Sequence, residues 1–513
     1  MVGPALQSFV ECGLLAGIVT LTSRGGEIVQ AETIGWSDIE TNTPMRSDTL
    51  FRIASMTKPI TSVAALMLME QGKIALQDPI SRWVPELASP RVLRDARGAL
   101  NNTVHAQRAI TVEDLLTHRS GIAYAFFSEG PLKQAYEKTL GNPALNRSSP
   151  DQWLSALGTL PLAYQPGERF HYGHSTDVLG FLIGRVEGMP LRQVLQERIF
   201  SPLGMVDTDF WLPHEKRSRL ASVYKYEEET GRLAKVEPEM YDEPPAYTPG
   251  GGGLISSAAD YHRFARLLLG GGALDGVRLL QPETVRLMQT NRLNDSQRQI
   301  PFAGMDLWRK SGFGLGLSTA EDPIDNPYTC GAPGSVTWPG IFGTWWQADP
   351  VNDLIMIYLI QHEVPVSAGA GSTIATGVGA SGRRALPVYQ HGIYAALRDG
   401  YTAHVRKPDI RSTSAEPRAL TEGYADADGD RIHYVEQGSG SPVLLLHGAF
   451  GSGTNFIQRD FGAFLAGRHR VIAPDSLAHG ESDAPVDRGR YGARQRAFQL
   501  TAVLDALGIE RLH

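Results

Sequence analysis

The sequence has 513 residues, of which 42% are hydrophobic and 20% are charged, a composition that is ordinary for a globular protein. Its 48 Lys and Arg residues against 55 Asp and Glu residues give a net charge of −7, which argues against nucleic acid or a membrane surface as a partner. The length predicts two to four domain-sized units.

The two cysteines, Cys12 and Cys330, exclude a disulfide framework as the source of stability. The N-terminus has no basic region of the kind that opens a signal peptide. No apolar run approaches the roughly 20 residues that a membrane helix needs. From these observations we expect a cytoplasmic protein.

The first predicted elements are strands and one strong helix. Residues 15–53 alternate apolar stretches with turn residues, which predicts a β-meander. A helix is predicted over 56–71, because apolar residues recur along one face, Pro59 lies in the first turn and Gly72 follows the last.

Helical periodicity then dominates from about 75 to 215, and strand patterns return from about 250. A closing helix is predicted over Leu386–Arg398, with Pro387 in its first turn. Strands at both ends with helices between them predict one sheet completed by both ends of a domain spanning 1–400. The clearest late strands are Gly312–Ser318, Gly340–Gln347 and Leu354–Ile360.

Residues 401–422 are rich in Pro, Ser and Thr and lack apolar periodicity, so we interpret them as a linker. Beyond it, residues 423–513 alternate strand and helix patterns, which predicts a separate parallel α/β unit. Its predicted strands are 431–436, 443–446 and 471–473, and its predicted helices lie near 456–466 and 491–507.

The first candidate for chemistry is the pair Ser55 and Lys58. One helical turn separates them, so their side chains share a face, and the serine lies where backbone N–H groups of the helix start are available. A buried lysine can lose its proton near neutral pH and then accept the hydroxyl proton, which activates the nucleophile. The alternative is a serine that caps the helix beside a solvated lysine.

Four segments carry a family resemblance, and they are FRIASMTK at 51–58, QGKIALQDP at 71–79, DLLTHRSG at 114–121 and PGERFHY at 166–172. In this order they resemble the penicillin-recognising serine hydrolases, which include class C β-lactamases, DD-peptidases and family VIII carboxylesterases. The resemblance covers about residues 10–395. It implies a β-lactamase/DD-peptidase-like α/β (α+β) fold, with an antiparallel sheet from both ends of the domain and a helical region. It also makes Ser55 the nucleophile and Lys58 part of its base.

The family's second motif falls on Tyr172, which the resemblance makes the residue that moves a proton between the serine and the leaving group. A phenol can do this only if nearby cations, such as Lys58, lower its pKa. Many members have asparagine two residues later, where this chain has His174, which weakens the case for β-lactam hydrolysis. We predict that His174 binds substrate. His171 and His174 have no third ligand, so no metal site is expected.

The third motif falls on Trp338 and Gly340, where β-lactamases carry a lysine that pairs with the substrate carboxylate. This form is similar to that of family VIII esterases. An indole offers apolar area but cannot pair with a carboxylate, and Gly340 leaves room at a strand edge, so both are predicted to bind substrate. The resemblance places the oxyanion hole at the backbone N–H groups of Ser55 and Ile341.

Three further features are interpreted as structural. Trp345 and Trp346 are predicted to pack in the core. The run Gly250–Gly253 lacks the lysine and spacing of a phosphate loop, so it predicts tight backbone packing. Asp426–Asp430 predicts a hairpin turn rather than a calcium loop.

The last 91 residues resemble the start of an α/β-hydrolase, through VLLLHG at 443–448, RVIAPD at 470–475 and AHGES at 478–482. In that family the nucleophile lies in a Gly-x-Ser-x-Gly turn, and this sequence contains none. We therefore predict a partial α/β-hydrolase module that lacks the nucleophile.

Together these features predict a serine carboxylesterase that hydrolyses short-chain esters through an acyl-enzyme on Ser55, with no cofactor and a small-molecule ester as its partner. The enzyme alternatives are a β-lactamase, a DD-peptidase or an amide hydrolase of the same fold. The alternative without catalysis is a penicillin-binding sensor.

Overall fold

The chain forms two compact units, Met1–Ala403 and His404–His513, in a computed structural model. The structure describes residues 2–141, 146, 148–227, 229–236, 243–302, 306–321, 331–363, 381–398, 420–446, 469–477, 481–485 and 493–509.

The described strands are numbered in chain order. They are β1 Gly17–Arg24, β2 Glu27–Asp38, β3 Thr43–Pro44, β4 Phe51–Arg52, β5 Arg91–Leu93, β6 Thr103–His105, β7 Val223–Glu227, β8 Arg232–Val236, β9 Ile255–Ser256, β10 Ala273–Leu274, β11 Val277–Arg278, β12 Ser311–Phe313, β13 Ser318–Ala320, β14 Val336–Thr337, β15 Trp345–Asp349, β16 Leu354–Leu359, β17 His362–Glu363, β18 Thr421–Ala427, β19 Asp430–Gly438, β20 Pro442–Leu444 and β21 Arg470–Pro474.

The described α-helices are numbered in the same way. They are α1 Val2–Glu11, α2 Thr57–Glu70, α3 Val112–Leu116, α4 Gly130–Leu140, α5 Pro150–Gly158, α6 Ser175–Glu187, α7 Leu191–Leu195, α8 Ser201–Leu203, α9 Ala258–Leu269, α10 Pro282–Gln289, α11 Asp295–Arg298, α12 Ser381–Arg398 and α13 Ala493–Ala506.

The first unit is built on an eight-stranded antiparallel sheet with the order β12-β13-β14-β15-β16-β1-β2-β3. Strand β1, the first in the chain, pairs with β16, which is the last strand of this sheet in chain order. Val19 lies opposite Leu359. The sheet is therefore completed by both ends of the unit, and the sequence prediction of this architecture is confirmed.

Both faces of this sheet are covered, which explains why β1 and β16 are buried almost throughout. Side chains alternate between the faces of a strand. Ile18 packs with residues of α1 and α12, whereas Val19 faces the main core that contains α2 and α9. Trp345 and Trp346 divide in the same way, and both are fully buried as predicted.

The helix predicted over 56–71 is α2, which follows a single 3-10 turn at Ala54–Met56. Gly72 follows it with a φ of 69°, a left-handed conformation that favours glycine. Eleven of the helix's 14 residues are buried, so α2 is a central element of the core and not an amphipathic surface helix.

Three predicted elements have different bounds in the structure. The strand predicted over Gly312–Ser318 is the end of β12, a turn and the start of β13, because Gly316 adopts a φ of 92°. The strand predicted from Gly340 begins only at Trp345. The closing helix begins at Ser381, so Pro387 lies inside it and not in its first turn.

The second unit contains a four-stranded sheet with the order β18-β19-β21-β20. Only β20 and β21 are parallel, so the prediction of a parallel unit is wrong for the other two pairings. The predicted hairpin is present, because Asp428 and Gly429 both have positive φ angles, as a two-residue hairpin turn requires.

Among the predictions for the linker and the second unit, one bound differs from the structure and others lie outside the described residues. Thr421 and Glu422 already pair in β18, so the predicted linker is too long at its end. The rest of that linker up to residue 419 lies outside the described residues, as do the helix predicted near 456–466 and the His447-Gly448 segment. Within the described part of the chain, no helix is long and apolar enough to cross a membrane.

Candidate active site

Ser55 lies in the 3-10 turn that joins β4 to α2. The strand β4 is held by antiparallel pairing with β9, and α2 is held by its burial, so both ends of the turn are fixed. Ala54, immediately before the serine, has a φ of 44°, which is rare for a residue with a side chain. Such local strain is typical of functional turns, where the surrounding structure enforces it.

Lys58 lies one helical turn after Ser55 and is completely buried. Its Nζ lies 3.1 Å from Ser55 Oγ and 2.5 Å from the carbonyl oxygen of Gly251. Burial lowers the pKa of Lys58 to about 7, although the negative charge of Asp177 acts in the opposite direction. A lysine with this pKa is able to accept a proton from the serine at neutral pH.

Tyr172 completes a trio with Ser55 and Lys58. Its hydroxyl donates to Ser55 Oγ over 2.8 Å, and Lys58 Nζ lies 4.6 Å from the centre of its ring. Burial raises the pKa of Tyr172, while its hydrogen bonds to Ser55 and Trp338 partly oppose this. The expectation of a lowered pKa is therefore wrong, because burial, together with the negative charge of Asp177, outweighs these hydrogen bonds.

Trp338 contacts the trio through a hydrogen bond that was not predicted. Its Nε1 lies 2.9 Å from the Tyr172 hydroxyl, and its side chain is only 3% exposed. An indole N–H can only donate, so the single proton of Tyr172 must point toward Ser55. Ser55 Oγ thus accepts from Tyr172 and from Lys58, and only when Lys58 is neutral can the serine donate its own proton to Nζ.

Gly340 and Ile341 follow β14 in a turn, and not on a strand as predicted. A side chain on Gly340 would lie 2.1 Å from Thr344 Oγ1 and 2.5 Å from the Ile53 carbonyl oxygen. The space that glycine leaves is thus used by the chain's own backbone, two residues before Ser55. The backbone at Gly340 therefore packs against the segment that leads into the nucleophile turn.

His174 does not occupy the substrate-binding position that we predicted. Its ring is buried, with ring contacts to Tyr124, Tyr136 and Trp153, and its Nδ1 lies 2.6 Å from Asp177 Oδ2. These contacts place it among the residues that support the trio.

Asp177 and Gly251 were missed by the sequence analysis. Asp177 is buried in the first turn of α6, and its Oδ1 accepts a hydrogen bond from the Gly251 N–H over 2.7 Å. The carbonyl of that same glycine accepts the hydrogen bond from Lys58. The only sequence signal was the three-residue spacing from His174 to Asp177, which places both on one helix face.

The surface beside Tyr172 is aromatic. Phe127 and Phe302 are partly exposed, and each ring centre lies 5.6 Å from that of Tyr172. Phe126 stacks on Tyr124 next to them. We call Phe126, Phe127 and Phe302 the aromatic wall, and they offer apolar contact area to a bound molecule.

The second unit contains a buried His433–Asp475 pair, with Nδ1 and Oδ2 2.8 Å apart. Ser482 is adjacent, but its hydroxyl accepts from the His433 backbone N–H and donates to the Asp475 backbone carbonyl. The serine is therefore bonded to backbone and not to the imidazole, which differs from a catalytic triad.

The comparison with known families agrees with the fold. The profile of the Beta-lactamase family matches residues 5–377, so the chain belongs to this family of serine hydrolases. A second profile, described as alpha/beta hydrolase fold, matches residues 441–513.

Three individual proteins are similar to this chain over most of their length. An uncharacterised protein of Mycobacterium tuberculosis is 46% identical over 77% of this chain and 98% of its own length. Esterase EstB of Burkholderia gladioli is 32% identical over 67% of this chain and 86% of its own. Among solved structures, EstCE1, a hydrolase with promiscuous acyltransferase activity, superimposes with a TM-score of 0.60 and 26% identity, over 75% of this chain and 97% of that one.

Proposed function

We propose that this chain is a carboxylesterase that hydrolyses short-chain carboxylic esters through an acyl-enzyme on Ser55. The proposal rests on one observation, a series of hydrogen bonds in which Trp338 donates to Tyr172 and Tyr172 donates to Ser55. Beside Ser55 lies Lys58, a lysine whose pKa is near neutral. This arrangement supplies both a nucleophile and a base that is ready to receive its proton.

In the acylation step, Ser55 Oγ attacks the ester carbonyl carbon and its proton passes to Lys58 Nζ. The negative oxygen that forms is stabilised by the backbone N–H groups of Ser55 and Ile341. When the carbon–oxygen bond to the alcohol breaks, the alcohol takes up the proton that Lys58 received, relayed through the neutral Tyr172 hydroxyl. Lys58 is then neutral again.

In the deacylation step, water attacks the acyl-serine and Lys58 takes the water proton. Collapse of the second tetrahedral intermediate breaks the bond between the acyl carbon and Ser55 Oγ, and the serine recovers a proton from Lys58. One ester and one water thus give one acid and one alcohol.

The proposed substrate class rests on charge and shape. Trp338 stands where the β-lactamases have a cation for a carboxylate, and its N–H is already used by Tyr172. The aromatic wall beside Tyr172 favours an uncharged, apolar ester. The similarity to Esterase EstB supports the same class.

The test combines covalent labelling and turnover. We expect a fluorophosphonate probe to label Ser55 and the full chain to hydrolyse p-nitrophenyl acetate and butyrate. Labelling without turnover of any ester would favour the penicillin-binding sensor. Turnover of a cephalosporin, a D-alanyl-D-alanine peptide or an amide at a kcat/KM equal to that for esters would favour the corresponding alternative.

A further inference from the structure

We infer that Asp177 is a positioning residue for the base, which fixes Lys58 through the Gly251 peptide and supplies the counter-charge that sets the pH range of activity. The inference rests on the proposed function, since it concerns the same serine and lysine. Asp177 contacts Lys58 only through intermediates, so it is not itself a catalytic residue.

The Gly251 peptide group connects the two side chains. Its N–H donates to Asp177 Oδ1 over 2.7 Å, and its carbonyl accepts from Lys58 Nζ over 2.5 Å. One peptide unit thus links the carboxylate to the base, and Lys58 Nζ is held between Gly251 and Ser55. If the carboxylate moved, the carbonyl that orients the lysine would move with it.

Glycine is required at position 251 by the same contact. A side chain there would begin 2.8 Å from Asp177 Oδ1 and 2.9 Å from the Tyr124 hydroxyl. The glycine run that was interpreted as tight packing therefore has a specific role at Gly251, because it lets the backbone reach a buried carboxylate.

The side chain of Asp177 is held by three hydrogen bonds. Besides Gly251, His174 Nδ1 lies 2.6 Å from Oδ2, and the Tyr124 hydroxyl donates to Oδ2 over 3.4 Å. Because a carboxylate only accepts, His174 must carry its proton on Nδ1. Together the three donors fix the position of the carboxylate.

The other titratable groups around Lys58 are neutral. Tyr124 and Tyr172 face it with their rings, and burial raises the pKa of both phenols. Burial, together with the charge of Lys58, lowers the pKa of His118 well below its usual value. Among the described residues packed here, Asp177 is therefore the anion that acts on the lysine.

The negative charge of Asp177 determines the direction in which it shifts the pH dependence of activity. A negative charge favours the protonated lysine, so Asp177 raises the pKa of Lys58 against the effect of burial. Only the neutral lysine is a base, so activity rises with pH through that pKa. Weakening the anion must move this rise to lower pH, and strengthening it must move the rise to higher pH.

The first test measures kcat/KM for p-nitrophenyl acetate between pH 5 and 9. We expect Asp177→Asn to shift the acidic limb to lower pH by about one unit. The matched control is Asp260→Asn, since Asp260 is an equally buried carboxylate in the first turn of α9 whose partners are Thr208 and Asp207. The control should leave the limb where the wild type has it.

A second variant moves the limb in the same direction by a smaller amount. His174→Phe keeps an aromatic ring in the pocket of Tyr136 and Trp153 but removes one of the donors that hold the Asp177 carboxylate, so the anion acts less strongly on Lys58. We expect the limb to shift to lower pH by about half a unit. This variant decides the question even if Asp177→Asn does not fold.

The possible results distinguish a failure of this inference from a failure of the proposed function. The rate of fluorophosphonate labelling at Ser55, followed across the same pH range, needs no knowledge of the substrate. A wild type that neither labels nor hydrolyses esters contradicts the proposed function. A wild type that does both, with variants that lose rate but keep the limb in place, reduces Asp177 to a structural role and overturns the inference.

Discussion

At the scale of single residues, the burial that lets Lys58 act as a base also reduces the stability of the folded protein. A lysine buried without a carboxylate in direct contact destabilises the fold, because the folded state disfavours its charged form. With a folded pKa of about 7, the unfolded state binds more protons between there and about 10.4, so the wild type gains stability as pH rises through this window.

We expect Lys58→Met to abolish hydrolysis and to raise the melting temperature at pH 7 by a few degrees. The gain is on the order of 1–3 kcal/mol, because the variant also leaves the Gly251 carbonyl without its donor. The difference from the wild type should narrow toward pH 10. Thermal unfolding at pH 7 and pH 10 measures both effects, and a less stable variant at pH 7 would contradict the argument.

The nucleophile is tested by Ser55→Ala, which should abolish ester hydrolysis and covalent labelling without loss of fold. Ser62→Ala is the matched control on the same α2 helix. The Ser62 hydroxyl is buried and makes no hydrogen bond within the described part of the chain, so its removal should leave activity unchanged. Full activity in a folded Ser55→Ala protein would rule out the mechanism.

Sequence reasoning identified the residues whose relation is local. Ser55 and Lys58 are one helical turn apart, and that spacing alone places them together. Asp177 and Gly251 act on Lys58 from positions far away in the chain, and no local pattern reveals such a contact. The direction of the pKa shift at Tyr172 could not be predicted from the sequence either, because it depends on how completely the ring is buried.

At the scale of elements, the connection between β14 and β15 carries two of the residues that we predict to bind substrate. It carries Trp338, whose N–H is used by Tyr172, and Gly340, which packs on the backbone before the nucleophile. The sequence predicted a strand here, but the chain turns instead. Gly316 likewise interrupts a predicted strand, because apolar periodicity does not reveal a left-handed glycine.

We predict that Trp338→Lys changes selectivity. The variant gains a cation for a substrate carboxylate and loses the donor to Tyr172, so kcat/KM for p-nitrophenyl acetate should fall by about tenfold. Relative to the ester, turnover of a cephalosporin should rise, since a charged hydrogen bond contributes roughly 1.5–3 kcal/mol. Trp338→Phe is the control that loses the donor without gaining charge. An unchanged ratio of the two substrates in Trp338→Lys would show that another group decides selectivity.

At the scale of the whole molecule, the residues proposed for catalysis all belong to the first compact unit, Met1–Ala403. We therefore propose that the second unit has no chemistry of its own, and that residues 1–400 form the hydrolase domain.

A chain that ends at residue 410 should keep esterase activity within a few-fold of the full chain. The reason is that Ser55, Lys58, Tyr172 and Trp338 are all retained with the sheet that positions them. The isolated region 423–513 should be poorly soluble, because within the described part of this unit the outer strands β18 and β20 each pair on one side alone. The measurements are kcat/KM and melting temperature. A shortened chain that folds but is inactive would assign part of the site to the second unit.

The pairing of β1 with β16 also dictates when the enzyme can be assembled during synthesis. Val19 and Leu359 are about 340 residues apart, and such distant partners make sheet formation slow. A ribosome must translate the whole helical region before β1 meets β16, whereas its other neighbour, β2, follows at once. Until then one edge of a strand that is buried almost throughout in the folded protein lacks its partner, so we expect the nascent chain to be prone to aggregation over most of its translation.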